Sequence, residues 1–202
     1  GSTSEFLINP YGMLYEEMTA SCFIRIDVEG KVLYNPGEYE VNQAGYVIHS
    51  AIHMARHDVD CIIHTHSLEG MTVSALKTGL LPLAQTAMRF GDVAYHDYEG
   101  PALRLDERER LVKDLGDREV MVLRNHGLLA VGPGIPECFN NIYRLERACQ
   151  LQVMTLSCNA EITLPPAEVV KETQDGFRNV RRPYGVLEWP ALLRKLDRID
   201  PS

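Results

Sequence analysis

Three histidines at the ends of apolar segments carry the clearest chemical signal in this sequence. His64 and His66 close the segment Cys61–His66, and His126 follows the apolar run Val120–Leu123. Imidazole nitrogen is a common ligand of zinc, and a catalytic zinc site keeps one coordination position open beside its three protein ligands. We therefore predict that these three histidines bind zinc or another divalent transition metal.

The spacing of His64 and His66 is typical of a strand that presents both rings on one face. A short apolar run bounded by polar residues indicates a buried strand, and residues two apart in a strand point the same way. The alternative is a purely structural role, because a buried neutral histidine needs a hydrogen-bond partner but no metal. Because two predicted strands each end in histidines at a polar end, metal binding is the favoured interpretation.

A second group of histidines lies on one predicted helix, which spans residues 42–56 with Asn42 as its N-cap. His49, His53 and His57 are spaced four apart beside the apolar face of that helix. Histidines at this spacing can bind metal, but the acid of a His-Glu-x-x-His pattern is missing. We therefore interpret these three histidines as packing or solvated residues.

Two glutamates are candidates for the acid–base group that a metal-assisted reaction needs. Glu69 lies three residues after His66, and Glu99 ends the polar stretch Tyr95–Glu99. Polar residues are also the ordinary composition of a surface loop, so this stretch by itself favours function and simple solvent exposure equally. We predict Glu69 and Glu99 as the catalytic candidates.

The elements that would position these side chains alternate between strands and helices. One strand pair is predicted at 22–28 and 31–34 around a two-residue turn, and a second pair at 120–124 and 128–131. Strand pairs mixed with several helices favour an α/β sandwich over an all-parallel doubly wound sheet. The later helices are predicted at 67–77, 106–115, 136–158, 167–176 and 188–199.

Composition limits the classes of function. The 202-residue chain carries a formal net charge of −8, which argues against nucleic-acid binding because that function needs a basic face. No apolar run approaches the ~20 residues of a membrane span. The five cysteines have no Cys-x-x-Cys spacing, which favours reduced core thiols in a cytoplasmic protein. We predict a sizeable core and no nucleic-acid or membrane partner.

Three stretches together resemble the class II aldolase/adducin family: Leu7–Glu17, Cys61–His66 and Arg124–Leu128. The first is similar to the N-terminal strand–turn element of that family, the second to its His-x-His strand and the third to the strand of its third histidine. The resemblance covers approximately residues 5–158. It is closest to the adducin head-domain branch, whose sequences are similar at Val41–Gly45, His49–Ile52 and Val93–Tyr98.

The resemblance implies a fold and an assembly. The expected fold is α/β, a three-layer α/β/α sandwich with a mixed, largely antiparallel central sheet. It would occupy residues 1–160, followed at 161–202 by a helical extension that packs on the domain or on a neighbouring subunit. A homo-oligomer is also expected, specifically a four-fold tetramer with the metal near a subunit boundary. The broad apolar face predicted for helix 136–158 independently indicates burial by more than one neighbour.

The resemblance also implies roles for individual residues. Sugar-phosphate aldolases of this family hold zinc through histidines that match the three named above, and the metal polarises the substrate carbonyl and its adjacent hydroxyl. Their acid–base glutamate matches Gly45, and their two phosphate-binding serines match Gln43 and Ala44. We take Asn9, Gly12 and Gln43 as the substrate-binding candidates.

Gly45 leads to two hypotheses of function. Glycine cannot transfer a proton, and the phosphate-binding serines are replaced, so ordinary sugar-phosphate cleavage is not expected. The first hypothesis is a metal-dependent lyase, for aldol cleavage or decarboxylation, that acts on a small molecule without a phosphate. The alternative is a non-catalytic oligomerisation and interaction module of the actin-cytoskeleton type, like an adducin head domain, with a vestigial metal site.

Overall fold

The computed structural model describes residues 4–100 and 106–201. Its strands are β1 Glu5–Ile8, β2 Pro10–Tyr11, β3 Ile24–Asp27, β4 Val32–Tyr34, β5 Glu40–Val41, β6 Cys61–Thr65, β7 Ala94–His96, β8 Val120–Leu123 and β9 Gly127–Gly132. Its α-helices are α1 Gln43–Ala55, α2 Leu68–Ser74, α3 Gln85–Met88, α4 Glu107–Leu115, α5 Ile135–Ser157, α6 Ala167–Arg178 and α7 Trp189–Ile199. Short 3₁₀ turns occupy Tyr15–Glu17 and Ala20–Cys22.

The chain divides into two compact units. The first contains the described parts of residues 1–60 and 99–114, and the second contains the described parts of residues 61–98 and 115–202. This division differs from the predicted boundary at residue 160, which separates a domain from an extension and stays a prediction. Two helices, α6 and α7, form within 161–202, and α6 packs against α3 of the second unit.

The first unit is built on the antiparallel sheet β1–β3–β4 and on helix α1. Strands β3 and β4 form the predicted hairpin. Asn42 caps α1 as predicted, because its side-chain oxygen accepts hydrogen bonds from the backbone N–H groups of Ala44 and Gly45. The apolar residues of the sheet and helix share one core, which contains Phe6, Ile8, Ile24, Ile26, Tyr46 and Val47.

The second unit is built on a four-stranded sheet in the order β6–β9–β8–β7. β9 is antiparallel to both of its neighbours, and β7 is parallel to β8. This mixed and largely antiparallel sheet confirms the predicted α/β fold class. Helix α5 packs on β9, and its inner face contributes Cys138, Ile142, Leu145 and Cys149 to a core shared with the strands.

Helix α2 is shorter than predicted. Ser67 caps it as expected, but the helix ends at Ser74 and not at Lys77. The backbone N–H of Gly79 donates to the Leu76 carbonyl over 2.9 Å, and Gly79 has a left-handed φ of +63°. A tight turn therefore replaces the last predicted turn of helix. None of the described helices is both long and apolar enough to cross a membrane.

The histidines of α1 occupy packed positions in the first unit. The ring of Phe6 lies 6.3 Å from that of His49 and 4.9 Å from that of His53, measured between centroids. Burial lowers the pKa of His49 to about 4, and the neighbouring His53 adds to this effect. Burial also lowers the pKa of His53. These two residues therefore act as neutral packing groups near neutral pH.

This burial predicts a loss of stability in mild acid. The unfolded chain takes up a proton at His49 near its ordinary pKa of 6.5, whereas the folded chain does so only near about 4. The contribution of neutral His49 to the free energy of unfolding is therefore complete above the pKa of the unfolded chain. It declines as the pH falls toward the pKa of the folded chain. In urea unfolding at about pH 7.5 and about pH 5, we expect His49→Gln to lose less stability on acidification than the unmodified protein.

The matched control is His57→Gln, because His57 lies at the exposed end of the same histidine stripe. This variant should lose as much stability on acidification as the unmodified protein. An equal acid loss in His49→Gln and the unmodified protein would contradict the assignment of the effect to His49.

Candidate metal centre

The structure brings His64, His66 and His126 together in the second unit. Their ring centroids are 4.6 to 4.8 Å apart, and one ring nitrogen from each lies within 4.8 Å of the others. His64 is on β6, His66 follows the end of that strand, and His126 lies in the turn between β8 and β9. The predicted convergence of the three rings is therefore confirmed.

Two antiparallel pairings place these residues. Strand β6 pairs with β9 so that His64 is opposite Leu129, and β9 pairs with β8 so that Gly127 is opposite Leu123. The turn between β8 and β9 needs a left-handed residue, which is Asn125 with φ of +55°. Asparagine tolerates this conformation better than most residues do. The turn thus presents His126 beside the end of β6.

Gly127 allows the turn to approach the His-x-His strand. A Cβ atom at this position would lie 2.3 Å from the Thr65 carbonyl oxygen and 3.2 Å from Cδ2 of His66. The first distance is far below van der Waals contact with backbone, which cannot move without disturbing the β6–β9 pairing. Any side chain here would therefore push His126 away from the other two histidines.

A backbone carbonyl sets the protonation of His64. Its Nδ1 lies 2.8 Å from the Leu128 carbonyl oxygen, which can only accept, so we assign the proton to Nδ1. Nε2 of His64 then presents a bare lone pair, 2.7 Å from Nε2 of His66. Orientation of one ring nitrogen by a carbonyl is the arrangement that metal-binding histidines use.

The donor set fits a divalent transition metal. Three imidazoles suit zinc and its neighbours and leave a further coordination position open. Burial lowers the pKa of His126, and the nearby His66 and His96 lower it further. The neutral imidazole that a metal requires is therefore favoured. His66 is exposed while His64 and His126 are half-buried, so the cluster is accessible from solvent.

Glu146 of α5 holds the segment on both sides of His66. Its Oε1 accepts a hydrogen bond of 2.5 Å from the Thr65 hydroxyl, and its Oε2 accepts one from the Ser67 hydroxyl. The same Ser67 oxygen caps α2 by accepting from the Gly70 N–H. One carboxylate thus fixes the backbone before and after a metal-ligating candidate. The sequence analysis missed this residue, although an acid on a mainly apolar helix face is a signal.

The two catalytic candidates occupy different environments, and their roles stay predictions. Glu69 lies half-buried in the first turn of α2, in the same unit as the histidines. Glu69 also acts electrostatically on the Cys149 thiol. Burial is the main cause that raises the pKa of this thiol to about 12, and the charges of Glu146 and Glu69 contribute further. Glu99 lies in the first unit, where the Arg110 guanidinium contacts both of its carboxylate oxygens. Glu99 is therefore already engaged in an ion pair.

The substrate-binding candidates Asn9, Gly12 and Gln43 all lie in the first unit, and their role also stays a prediction. Gln43 is exposed at the start of α1, and Gly12 is exposed with φ of +90°. Gly45, in the same helix, has no left-handed φ. A Cβ atom built on Gly45 would meet its nearest neighbour at 3.7 Å, which is ordinary contact. The helix can therefore accept a side chain at this position.

Comparison with known proteins gives a consistent result. Residues 2–153 match the family model described as the class II aldolase and adducin N-terminal domain. A Pseudomonas aeruginosa protein named for aldolase class 2 is 45% identical, and the match covers 99% of this chain and 79% of that protein. Mouse α-adducin is 46% identical over 75% of this chain, which corresponds to 21% of the adducin.

Solved structures show the same similarity. An aldolase II superfamily protein from Pseudomonas syringae aligns with a TM-score of 0.93 at 46% identity, over 99% of this chain and 81% of the other. An L-fuculose 1-phosphate aldolase from Glaciozyma antarctica aligns with a TM-score of 0.84 at 28% identity, over 98% of this chain and 76% of the other.

The position of Glu146 predicts an effect on metal affinity. Glu146→Gln keeps the size of the side chain but removes the charge that draws two hydroxyl donors to the segment around His66. Loss of a group that orients metal ligands commonly weakens binding by about 10–100-fold. We expect a zinc affinity at least about tenfold weaker, measured by competition with a chromogenic chelator.

The control is Glu137→Gln, which removes a carboxylate from the first turn of the same helix. This variant should keep the zinc affinity of the unmodified protein. The melting temperatures of the metal-free proteins show whether a variant weakens zinc binding locally or destabilises the whole fold. Unchanged zinc affinity in Glu146→Gln would refute the positioning role.

Proposed function

Because the chain belongs to the class II aldolase and adducin family, we propose that it is a metal-dependent carbon–carbon lyase acting on a small molecule without a phosphate group. The observation that carries this proposal is the convergence of His64, His66 and His126 at the accessible end of a strand. The reaction would be aldol cleavage or decarboxylation. Zinc is the first candidate for the metal, and another divalent transition ion is the alternative.

The roles of the residues follow from their contacts. The three histidines would hold the ion, which when bound supplies a Lewis acid for a substrate carbonyl and its neighbouring hydroxyl. The Leu128 carbonyl orients His64, and Glu146 holds the segment that carries His66. The exposure of His66 leaves a path for substrate. These residues together would bind and orient the reacting end of the molecule.

The proton-transfer group is the main difference from sugar-phosphate aldolases. Gly45 occupies the position of the glutamate expected from the family, and Gln43 and Ala44 replace phosphate-binding serines. Glu69 is the better candidate for a substitute, because it forms no ion pair with another described residue, whereas Arg110 engages Glu99. Decarboxylation also needs less acid–base help than aldol cleavage.

The alternative is a non-catalytic interaction module like the head domain of adducin. The identity of 46% to mouse α-adducin favours it, although the match spans only 21% of that protein, so any adducin-like activity remains a proposal. In both cases we expect a cytoplasmic homo-oligomer, with a tetramer as the first candidate. Exposed leucines on α7, among them Leu193 and Leu196, offer apolar surface for such contacts.

Metal content is the first test of this proposal. Protein purified without chelator or nickel resin should contain zinc or another transition metal in stoichiometric amount by elemental analysis. Alanine in place of His64, His66 or His126 should remove it, because two imidazoles hold such an ion poorly. His57→Ala is the control, since this exposed histidine lies outside the cluster. Stoichiometric metal in all three site variants would refute the ligand assignment.

Gly45 provides the second test. The metal-loaded protein should not cleave fuculose 1-phosphate appreciably, because general acid–base catalysis contributes about 10²–10⁴ in rate. Gly45→Glu introduces the missing carboxylate, and Gly45→Ala is its control for the helix alone. The alanine variant should be more stable by about 0.4–1 kcal/mol, because alanine lowers the conformational entropy of the unfolded chain, and should stay inactive toward this sugar.

Robust cleavage of fuculose 1-phosphate by the unmodified protein would overturn the assigned loss of sugar-phosphate activity. Glu69→Gln would then show whether Glu69 carries the proton. Slow cleavage that appears only in Gly45→Glu would support the interpretation that this helix start is the position of the acid–base group.

A further inference from the structure

A depression beside His126 contains charged side chains that the proposed reaction does not yet use. It has a volume of about 540 Å³ and is lined in part by Lys77, Asp97, Tyr98 and Arg124. We propose that this depression binds a carboxylate at the far end of the substrate, so that the substrate is a hydroxy or keto acid with a second carboxylate. This inference rests on the proposed function, because it assigns the substrate class of the same site.

The depression adjoins the histidine cluster at Tyr98. The ring of Tyr98 lies 6.3 Å from the ring of His126 between centroids and meets it edge-on at 75°. Asn125, which also lines the depression, immediately precedes His126 in the chain. A small molecule that contacts the histidines at one end can therefore extend over Tyr98 into the depression.

Arg124 is fixed in position but is not neutralised. Its guanidinium lies 4.2 Å from the centroid of the Tyr95 ring, and Nη1 donates 2.7 Å to the Leu76 carbonyl oxygen. These contacts orient the group but carry no formal negative charge. Among the described residues no carboxylate forms an ion pair with Arg124. A half-buried, oriented guanidinium of this kind is suited to grip a carboxylate with two parallel hydrogen bonds.

The balance of charge favours a carboxylate over a phosphate. Lys77 is exposed at the rim and forms no ion pair with a described residue. Two cations, Lys77 and Arg124, face one acid, Asp97, so the lining carries one net positive charge. This charge balances a monoanionic carboxylate but not a phosphate dianion. The preference agrees with the loss of the phosphate-binding serines at Gln43 and Ala44.

Matched hydroxy acids test this inference by their binding to the zinc-loaded protein. Lactate carries only the reacting end, whereas malate and 2-hydroxyglutarate add a second carboxylate on tails of increasing length. 3-Phosphoglycerate adds a phosphate instead. In isothermal titration calorimetry, we expect at least one of the two dicarboxylates to bind about tenfold more tightly than lactate, because it gains a charge-assisted hydrogen bond.

Three variants connect this preference to the depression. Arg124→Gln should abolish the preference for the dicarboxylate, and Lys77→Gln should reduce it about threefold, as is typical of an exposed charge. Asp97→Asn removes the acid and should strengthen dicarboxylate binding. In both variants the affinity for the dicarboxylate should change more than the affinity for lactate, because lactate carries only the reacting end. If Arg124→Gln does not fold, the opposite effects of these two variants still decide the question.

The outcomes separate the subsite from the reaction. Binding of lactate without a preference for either dicarboxylate overturns the carboxylate subsite and leaves the proposed function intact. Tighter binding of 3-phosphoglycerate than of both dicarboxylates overturns the choice of carboxylate over phosphate. A failure of the zinc-loaded protein to bind any of the four acids overturns the assignment of a hydroxy or keto acid substrate, whereas the proposed function is decided separately by the metal content of the histidine variants.

Discussion

The close approach of two backbone segments at Gly127 is the constraint on which the histidine cluster depends. A side chain there would collide with the Thr65 carbonyl, so only glycine lets the β8–β9 turn reach the end of β6. The same approach brings the Leu128 carbonyl to His64. One position without a side chain thus governs both the distance between the histidine rings and the position of the proton on His64.

Helix α5 stabilises the cluster from behind by two kinds of contact. Its apolar face, with residues such as Leu145 and Cys149, packs in the core with the strands that carry the histidines. One turn of that helix also presents Glu146 to the hydroxyl groups on either side of His66. The apolar packing holds the helix in place, and the helix in turn holds the Glu146 carboxylate. The hydrogen bonds of Glu146 are therefore positioned by a close-packed core.

The positions of the candidate residues in the chain are the basis on which we propose a lyase other than a sugar-phosphate aldolase. The cluster of His64, His66 and His126, which could hold a metal, and its supporting contacts all lie in the second unit. The first unit carries glycine at the position of the expected acid, in a helix that would accept a side chain without strain. We therefore expect both the substrate and the proton donor to differ from those of sugar-phosphate aldolases. The glutamate expected at Gly45 and the serines expected at Gln43 and Ala44 would both serve phosphate-bearing substrates.

The sequence alone determined the features that depend on neighbouring residues. The two-residue spacing of His64 and His66, the caps at Asn42 and Ser67 and the largely antiparallel α/β class all follow from local periodicity or from family resemblance. The end of α2 was predicted three residues too late. The sequence pattern up to Gly79 fits either a last turn of helix or a separate tight turn, and the structure has the tight turn.

The tertiary structure decided which distant groups meet. The contact of Glu146 with Thr65 joins residues 81 positions apart, and the cationic depression beside His126 combines side chains from three separate segments. No local pattern encodes these meetings, because strand register and helix packing depend on the whole core. The sequence could therefore name the three histidines as candidate ligands, but only the folded chain shows what orients them and what surrounds them.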